Sequence, residues 1–409
     1  GGSMPLALSI WVIGGVLSLL GALTYGELGA MDGGSGGLYS YLRDAFGPFP
    51  AFLYGWTLLL VLATGSIATL AAAAAQYFGE FVTLGAVGKK AFSVAMILIL
   101  GVVNVLSTRK SATLQNVATG IKVTAILVMS GLLIALGDGG PAAAAASGTA
   151  TPSLMAGVGV AMISVLWAYE GWQYTTFAAG EALDPQRSFP RALILGTLIL
   201  IALYVLANIA YVAALGGARV AASERVAAEA VTTVVGPTAG RLVATAIMIS
   251  MFSAALSIMI TAPRVYYTMA RDGLFFSKLS EVHPRYGTPA FAIVVTTGWA
   301  MLLAATGTFQ QLLTYVVFIG WIFYALGAMA VIALRRKRPE AARPFRVPGY
   351  PWTPIFFTLA AAAIVGNTIV TTPRDVVLGL LIVALGAPAY LVWRRRRSPA
   401  PSVVAARSP

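Results

Sequence analysis

The chain has 409 residues, of which 58% are hydrophobic and only 10% are charged, and its formal net charge is +13. A soluble domain carries about 25% charged residues, so this composition excludes an ordinary soluble fold and indicates a polytopic membrane protein. The basic residues cluster between apolar runs, which favours membrane topology over nucleic-acid binding as the origin of the charge. With no cysteine and one histidine, the sequence also excludes disulfides, thiol catalysis and Cys/His metal sites.

Eleven apolar stretches approach or exceed the length of about 20 residues that a helix needs to cross a bilayer. Their predicted bounds are 5–30, 49–78, 91–107, 113–137, 155–180, 191–215, 240–270, 288–307, 311–334, 353–371 and 375–393. No soluble domain is predicted between them, so residues 1–393 read as one transmembrane domain. The remaining segment 394–409, RRRRSPAPSVVAARSP, predicts a disordered basic tail.

Lysine and arginine are distributed unevenly between the two sets of loops, and the richer set marks the cytoplasmic side. The richer set holds Arg43, Arg109, Lys110, Arg187, Arg191, Arg271, Lys278, Arg285, the segment RRKRPEAARPFR at 335–346 and RRRR at 394–397. The other set holds Lys89, Lys90, Arg219, Arg225, Arg241 and Arg374. We therefore expect an integral protein of the cell membrane (inner or plasma) with a cytoplasmic C-terminus. Eleven spans then place the N-terminus outside, which suggests that one span is missing upstream.

The span predicted over 155–180 carries an acid and a glycine near its middle, in the segment WAYEGWQY at 167–174. Glycine weakens a helix by about 1 kcal/mol relative to alanine, and a carboxylate at the bilayer centre costs at least about 2.5 kcal/mol on insertion scales. Such residues are tolerated where the backbone unwinds and lines a cavity, as in many transporters. We predict a break between Tyr169 and Gly171. The alternative is that Glu170 pairs with a buried donor and only packs the bundle.

Four segments together resemble one family of membrane transporters. They are WAYEGWQYTTFAAGEALDPQRSFPRALILGTLI at 167–199, YGELGAMDGGSGGLYSYLRDAFG at 25–47, SAALSIMITAPRVYYTMARDGLFF at 253–276 and RRKRPEAARPFRVPGYPWTP at 335–354. They resemble, respectively, the sixth span with its following loop, the end of the second span, the eighth span, and the loop from the tenth to the eleventh span of the amino acid–polyamine–organocation superfamily, in its L-type amino acid transporter branch. That family usually has an aspartate or a small residue where this chain has Glu170.

The resemblance implies a twelve-span, all-α fold with two five-span repeats of inverted topology and two extra spans. On this sequence the first repeat covers 5–137 with four spans, the second covers 155–334, and the extra spans cover 353–393, so that eleven of twelve spans are present. In the family, substrate lies between the broken first and sixth spans. The absent span is the first, whose glycine-rich break binds the substrate carboxylate. The substrate amine is expected to meet freed carbonyls around Trp167 to Tyr169, close to Glu170.

Three groups of residues are candidates for function. The substrate-binding group is Trp167, Ala168, Tyr169, Glu170, Gly171, Trp172 and Tyr174. The resemblance implies that Lys122 replaces a sodium ion or carries a coupling proton, and Ser253 and Ser257 are expected near its ammonium. The expected inner gate of ion pairs is Glu27, Glu181, Arg187, Arg191, Arg264 and Arg271. The alternatives are bundle packing for the aromatic residues and serines, snorkelling for Lys122, and interfacial anchoring for the gate.

These features predict a secondary amino acid transporter in the lipid bilayer, with an amino acid or amine as its substrate. A proton gradient or substrate exchange would drive it, rather than sodium or ATP. No cofactor and no nucleic-acid partner is implied. The sequence lacks a phosphate-binding loop and HExxH, and its one GxSxG match, GGSGG at 33–37, lies in a short glycine-rich loop, so an enzyme is not expected. A homo-oligomer or a partner subunit is left open. The alternative from another class is a non-transporting binding or sensing protein, or an inactive remnant without its first span.

Overall fold

A computed structural model gives the fold over residues 4–31, 36–106, 111–139, 154–181 and 184–396. Within these ranges the chain forms fourteen α-helices and no strand. The helices are α1 (Met4–Met31), α2 (Leu38–Phe46), α3 (Pro48–Thr57), α4 (Ala63–Phe78), α5 (Ala86–Leu106), α6 (Ser111–Leu136), α7 (Leu154–Tyr169), α8 (Pro185–Ala222), α9 (Val226–Val234), α10 (Pro237–Arg271), α11 (Ala290–Thr306), α12 (Phe309–Lys337), α13 (Trp352–Thr371) and α14 (Pro373–Arg396). A π-helical segment joins α3 to α4 over Leu58–Leu62, and 3-10 segments cover Trp172–Glu181 and Ser277–Ser280.

Nine helical segments in the described part of the chain are long and apolar enough to cross a membrane. They are Pro5–Met31, Pro48–Phe78, Ala86–Leu106, Thr119–Leu136, Gln186–Ala222, Pro237–Arg271, Phe309–Lys337, Trp352–Thr371 and Pro373–Arg395. Two further apolar helices, α7 with 16 residues and α11 with 17, are shorter. These eleven segments coincide with the eleven predicted spans, which confirms an all-α polytopic membrane protein.

The central helices pack in pairs that join the two halves of the chain. α1 lies along α8, α4 along α10, and α5 along α11. Glycine allows close approach, since a Cβ on Gly101 of α5 would collide with the Thr297 side chain of α11, and one on Gly55 of α3 would collide with the Met269 side chain of α10. Small residues at crossings are how membrane helices come into close van der Waals contact. Because the paired helices hold the same position in the two predicted repeats, the packing fits the repeat architecture, which stays a prediction.

The π-helical segment between α3 and α4 changes the hydrogen-bonding pattern inside one long span. Its carbonyls bond to groups outside the regular ladder: the hydroxyl of Thr64 donates to the Leu59 carbonyl at 2.7 Å, and the indole of Trp299 on α11 donates to the Leu60 carbonyl at 2.8 Å. Such bulges leave carbonyls in need of donors, and side chains often supply them. The segment therefore also ties α11 to this span.

Several details differ from the sequence prediction. The short helices α2 and α9 have nine residues each, well below the length of about 20 apolar residues by which a span is predicted. α8 extends beyond the predicted 191–215 and contains a kink at Gly216, where φ is 74°. α14 continues to Arg396, so the predicted disordered tail begins with helical residues, and residues 397–409 lie outside the described ranges. Most of the loop at 137–153 lies outside them too.

Candidate functional site at the broken helix

The helix that carries Glu170 is interrupted where the sequence predicts a break. α7 ends at Tyr169, and the chain continues as a 3-10 segment from Trp172. Between them, Gly171 has a φ of 138°, a conformation that is open to glycine and strained for other residues. The backbone N–H of Glu170 donates to the Trp167 carbonyl at 3.0 Å, which closes the last turn in 3-10 fashion. The break thus follows from the Glu-Gly pair in the sequence.

The Glu170 carboxylate is held by two donors that both bond to one of its oxygens. The hydroxyl of Tyr324 on α12 donates to Oε1 at 2.5 Å, and Nε2 of Gln173 donates to the same oxygen at 2.9 Å. Gln173 Nε2 also donates to the Tyr324 hydroxyl at 2.9 Å, and its Oε1 accepts from the Gly171 N–H at 3.0 Å. These four residues form one hydrogen-bonded network that links α12 to the break.

The second carboxylate oxygen of Glu170, Oε2, is buried and has no hydrogen-bond partner among the described residues. The hydroxyls of Tyr54 on α3 and Tyr266 on α10 share that condition, and both tyrosines belong to the same core cluster as Tyr324. Buried polar atoms are nearly always paired, because leaving one unpaired costs about 1–3 kcal/mol. An oxygen in this state is suited to receive a hydrogen-bond donor from a bound molecule.

The aromatic candidates lie at different depths around the break. Tyr169 is buried and donates from its hydroxyl to the Trp11 carbonyl at 3.2 Å, and Tyr174 is also buried. Trp172 is half-buried and packs edge-on against Tyr25, with ring centroids 4.8 Å apart. Trp167 is half-buried as well. These side chains therefore enclose the break on several sides.

Two of the carbonyls expected to meet a substrate amine already accept hydrogen bonds. The Trp167 carbonyl accepts from the N–H of Glu170, and the Ala168 carbonyl accepts from the hydroxyl of Tyr204 on α8 at 3.0 Å. A carbonyl oxygen has two lone pairs, so each can accept another donor. The C-terminal end of α7 at Tyr169 adds a partial negative charge from the helix dipole. The break is thus electronegative on its carbonyl side as well as at Glu170.

The predicted coupling lysine faces α10, where, among the described residues, its bond goes to a backbone carbonyl and not to either predicted serine. Lys122 Nζ on α6 donates to the carbonyl of Ser250 at 3.2 Å, one turn before Ser253. Ser253 is 8% exposed, and Ser257, one turn further, is half-buried. Lys122 also lines a cavity of about 180 Å³ between α6, α8 and α10, in which Tyr211 is a further wall residue. The lysine thus connects α6 to α10.

Glu27, expected in an inner gate, is fully buried at the end of α1 and is surrounded by donors from a different region. Arg335 donates to it through Nε at 2.8 Å and Nη2 at 2.6 Å, and the backbone N–H of Val347 donates at 2.7 Å. Nε of Arg343 lies 3.5 Å from the same carboxylate. The Arg335 guanidinium also lies over the Tyr350 ring, 3.7 Å from its centroid. This set, the Glu27 clamp, fastens the end of α12 and the loop after it to α1.

The other gate candidates are not brought into one cluster with Glu27. Arg187, Arg191 and Arg271 are exposed. Arg264 donates through Nη1 to a carbonyl one turn earlier in its own helix at 2.6 Å. The side chain of Glu181 lies outside the part of the chain whose side chains are described.

Sequence reasoning did not single out the residues that contact Glu170 and Glu27. Gln173 stands three residues after Glu170, a spacing that brings side chains together in helical segments, so its proximity was available as a signal. Tyr324 stands 154 residues away from Glu170 in the sequence, and Arg335 stands 308 residues away from Glu27. No local pattern indicates contacts at such separations.

A helical membrane bundle that is broken at a buried carboxylate has the architecture of a secondary transporter. Comparison with known sequences identifies its family. Residues 1–391 match the family model described as "Amino acid permease". The chain therefore belongs to the amino acid permease family of the amino acid–polyamine–organocation superfamily, and it is a secondary amino acid transporter and not an enzyme.

Individual relatives agree with this assignment over nearly the full chain. The serine/threonine exchanger SteT of Bacillus subtilis is 30% identical over 404 residues, which cover 97% of this chain and 90% of the relative. The mouse b(0,+)-type amino acid transporter 1 is 32% identical over 90% of this chain and 76% of its own length. The human cystine/glutamate transporter is 30% identical over 97% and 80%, respectively. All three are named as amino acid exchangers or transporters.

Proposed function

We propose that the amine of the transported amino acid binds at the break beside Glu170, and that the chain works by amino acid exchange. The observation that carries the binding site is the buried Oε2 of Glu170, which has no partner in the described structure. A primary ammonium group supplies charge-assisted donors for such an oxygen. The carbonyl end of α7 favours the same charge. Together they make the break a cation-binding end of a substrate site enclosed by the predicted aromatic residues.

The proposal that exchange drives transport is supported by the names of the relatives, one of which is called a serine/threonine exchanger. Proton coupling through Lys122 is the second candidate, and the bond from its ammonium to the Ser250 carbonyl favours it. A lysine that bridges α6 and α10 could release one helix from the other on losing its proton. Ser253 and Ser257 would line the path of that ammonium on α10.

For the inner gate we propose that the buried and the exposed candidate residues have different roles. The Glu27 clamp, with three donors around a fully buried carboxylate, acts as a fixed fastening. The predicted cytoplasmic side would contain the exposed Arg187 and Arg191 as residues free to change partners. We place the C-terminus in the cytoplasm and the protein in the cell membrane, on the distribution of lysine and arginine. A partner subunit or a homo-oligomer fits the family without being required by these contacts.

The test is exchange in proteoliposomes that contain the purified chain. Vesicles loaded with unlabelled serine, leucine, arginine or glutamate are mixed with the same radiolabelled amino acid outside, at equal and at opposed pH. We expect uptake that requires internal amino acid and that does not require a pH gradient. Uptake into empty vesicles driven by a pH gradient alone would favour the proton-coupled mechanism instead.

Glu170→Gln tests the amine site in the same assay. We expect KM to rise at least about tenfold, since a hydrogen bond to a charged group contributes roughly 1.5–3 kcal/mol and each 1.4 kcal/mol is a factor of ten. The matched control is Glu340→Gln, because Glu340 is an exposed acid in the loop after α12. An unchanged KM in Glu170→Gln would remove Glu170 from the substrate site.

A further inference from the structure

One carboxylate oxygen of Glu170 is fully engaged by two side chains, and this arrangement determines where the other oxygen lies. Tyr324 and Gln173 both donate to Oε1, at 2.5 Å and 2.9 Å. Both donors are almost completely buried, with exposed fractions of 2% and 1%. We propose that Tyr324 and Gln173 are positioning residues, which hold Glu170 so that Oε2 is presented to the ammonium group of the substrate. This inference rests on the proposed amine site.

The neighbours of Tyr324 keep its ring in place without help from its hydroxyl. The ring lies 5.7 Å from that of Trp172 and 6.3 Å from that of Trp321, measured between centroids. Its backbone carbonyl accepts from the hydroxyl of Tyr25 at 3.2 Å. We therefore expect removal of the hydroxyl alone to leave the packing of α12 intact and to remove one of the two donors that hold the Glu170 carboxylate. The hydroxyl therefore contributes more to the position of Glu170 than to the packing of α12.

Gln173 has a second hydrogen bond, which reaches the backbone at the break. Its Oε1 accepts from the Gly171 N–H at 3.0 Å, while its Nε2 donates to Glu170. One side chain thus sets both the backbone at the break and the carboxylate beside it. A carboxylate fixed before binding loses less rotational freedom when the ligand arrives, so it contributes more to affinity. The expected signature of a positioning residue is a change in KM with little change in maximal rate.

The experiment compares Tyr324→Phe, Glu170→Gln and the double variant in the proteoliposome exchange assay, with whichever of serine, leucine, arginine or glutamate gives the highest wild-type flux. We expect Tyr324→Phe to raise KM about fivefold to tenfold, with the maximal rate within about twofold of wild type. We expect the double variant to match Glu170→Gln alone, because a residue that acts through Glu170 has no further effect once the carboxylate is gone. Tyr315→Phe, on the same helix and 3.4 Å from Asp375, is the matched control and should change neither parameter.

Each outcome bears on one claim. Losses that add in the double variant, or an unchanged KM in Tyr324→Phe, overturn the positioning role while leaving amino acid exchange in place. A wild-type chain that exchanges none of the four amino acids overturns the proposed function and the positioning role with it. If Tyr324→Phe is not recovered as a monodisperse protein, Gln173→Met takes its place. Gln173→Met alone should raise KM relative to the wild-type chain, and an unchanged KM in that variant overturns the positioning role of Gln173.

Discussion

At the scale of single residues, the break depends on a glycine whose backbone conformation other residues avoid. A Cβ on Gly171 would meet no atom within 4 Å, so space does not explain why glycine stands there. Its φ of 138° does, because an L side chain in such a region costs about 1–3 kcal/mol. Gly171 is therefore required for its backbone conformation, and that conformation places the Glu170 carboxylate at the break.

Gly171→Ala should lower both thermal stability and exchange, because the added Cβ strains the backbone at the break. The control is Gly196→Ala within α8, where a Cβ also meets nothing within 4 Å but the backbone is helical. Alanine at that position should be neutral or stabilising by up to about 1 kcal/mol. Melting temperature in detergent and uptake in vesicles measure the two effects. Equal melting temperatures in the two variants would contradict the account of Gly171.

At the scale of elements, the contribution of an ion pair to stability depends on how deeply the pair is buried. The Glu27 carboxylate is fully buried against Arg335 and Arg343. Glu229 on α9 pairs with Arg219 at 3.0 Å, with both side chains about 40% exposed. A hydrogen bond from Ser223, aided by Arg219, holds the pKa of Glu229 below its ordinary value, so its contribution is present at neutral pH and lost as the pH falls through that lowered pKa. Solvent screening keeps this contribution small.

Glu27→Gln should therefore destabilise the protein far more than Glu229→Gln. Removing one partner of a buried ion pair costs about 3–5 kcal/mol, because the remaining charges stay buried without compensation. An exposed pair is worth about 0–1 kcal/mol. Thermal unfolding of the two variants in the same detergent at pH 7 gives the comparison. Similar shifts in both would mean that the Glu27 clamp is not a fastening.

Elements also separate what the sequence could predict from what it could not. Each of the eleven spans can be predicted from its own apolar run, because the thickness of the bilayer sets the minimum length of a helix that crosses it. The break at Glu170 is indicated by an acid and a glycine in one such run. Only folding brings Tyr324 on α12 near Glu170, and the end of α12 with the loop after it near Glu27. Local patterns therefore predicted half of the site, and packing supplied the other half.

At the scale of the whole molecule, half-exposed ion pairs join helices on both predicted sides of the membrane. Arg43 on α2 lies 2.7 Å from Asp272 at the end of α10, on the predicted cytoplasmic side. On the opposite side, Arg225 before α9 lies 3.0 Å from Glu80 after α4. Partly exposed pairs of this kind cost less to separate than a fully buried pair, because water can solvate the separated charges. We expect such contacts, unlike the buried Glu27 clamp, to open and close during alternating access.

Tethering the outer pair should stop exchange. Because the 409 residues include no cysteine, Glu80→Cys with Arg225→Cys gives a chain with only two thiols, which a bis-maleimide can join. We expect flux to fall in proportion to the cross-linked fraction, since α9 and α4 can no longer part. The single-cysteine variants treated with the same reagent serve as controls. Full exchange by the cross-linked protein would show that this pair does not separate during transport.

The π-helical segment Leu58–Leu62 has a consequence for the evolutionary history of this span. An extra residue in a regular α-helix would turn everything after it by about 100°, but a π-helical turn holds about one residue more than an α-helical turn and so absorbs it. Tyr54 lies before it and Thr64 after it, and both are buried. A relative that has lost the bulge by a single deletion should therefore keep the same faces of both half-spans against the core. One-residue gaps at this point are expected between permeases that retain the same pattern of buried positions on either side of it.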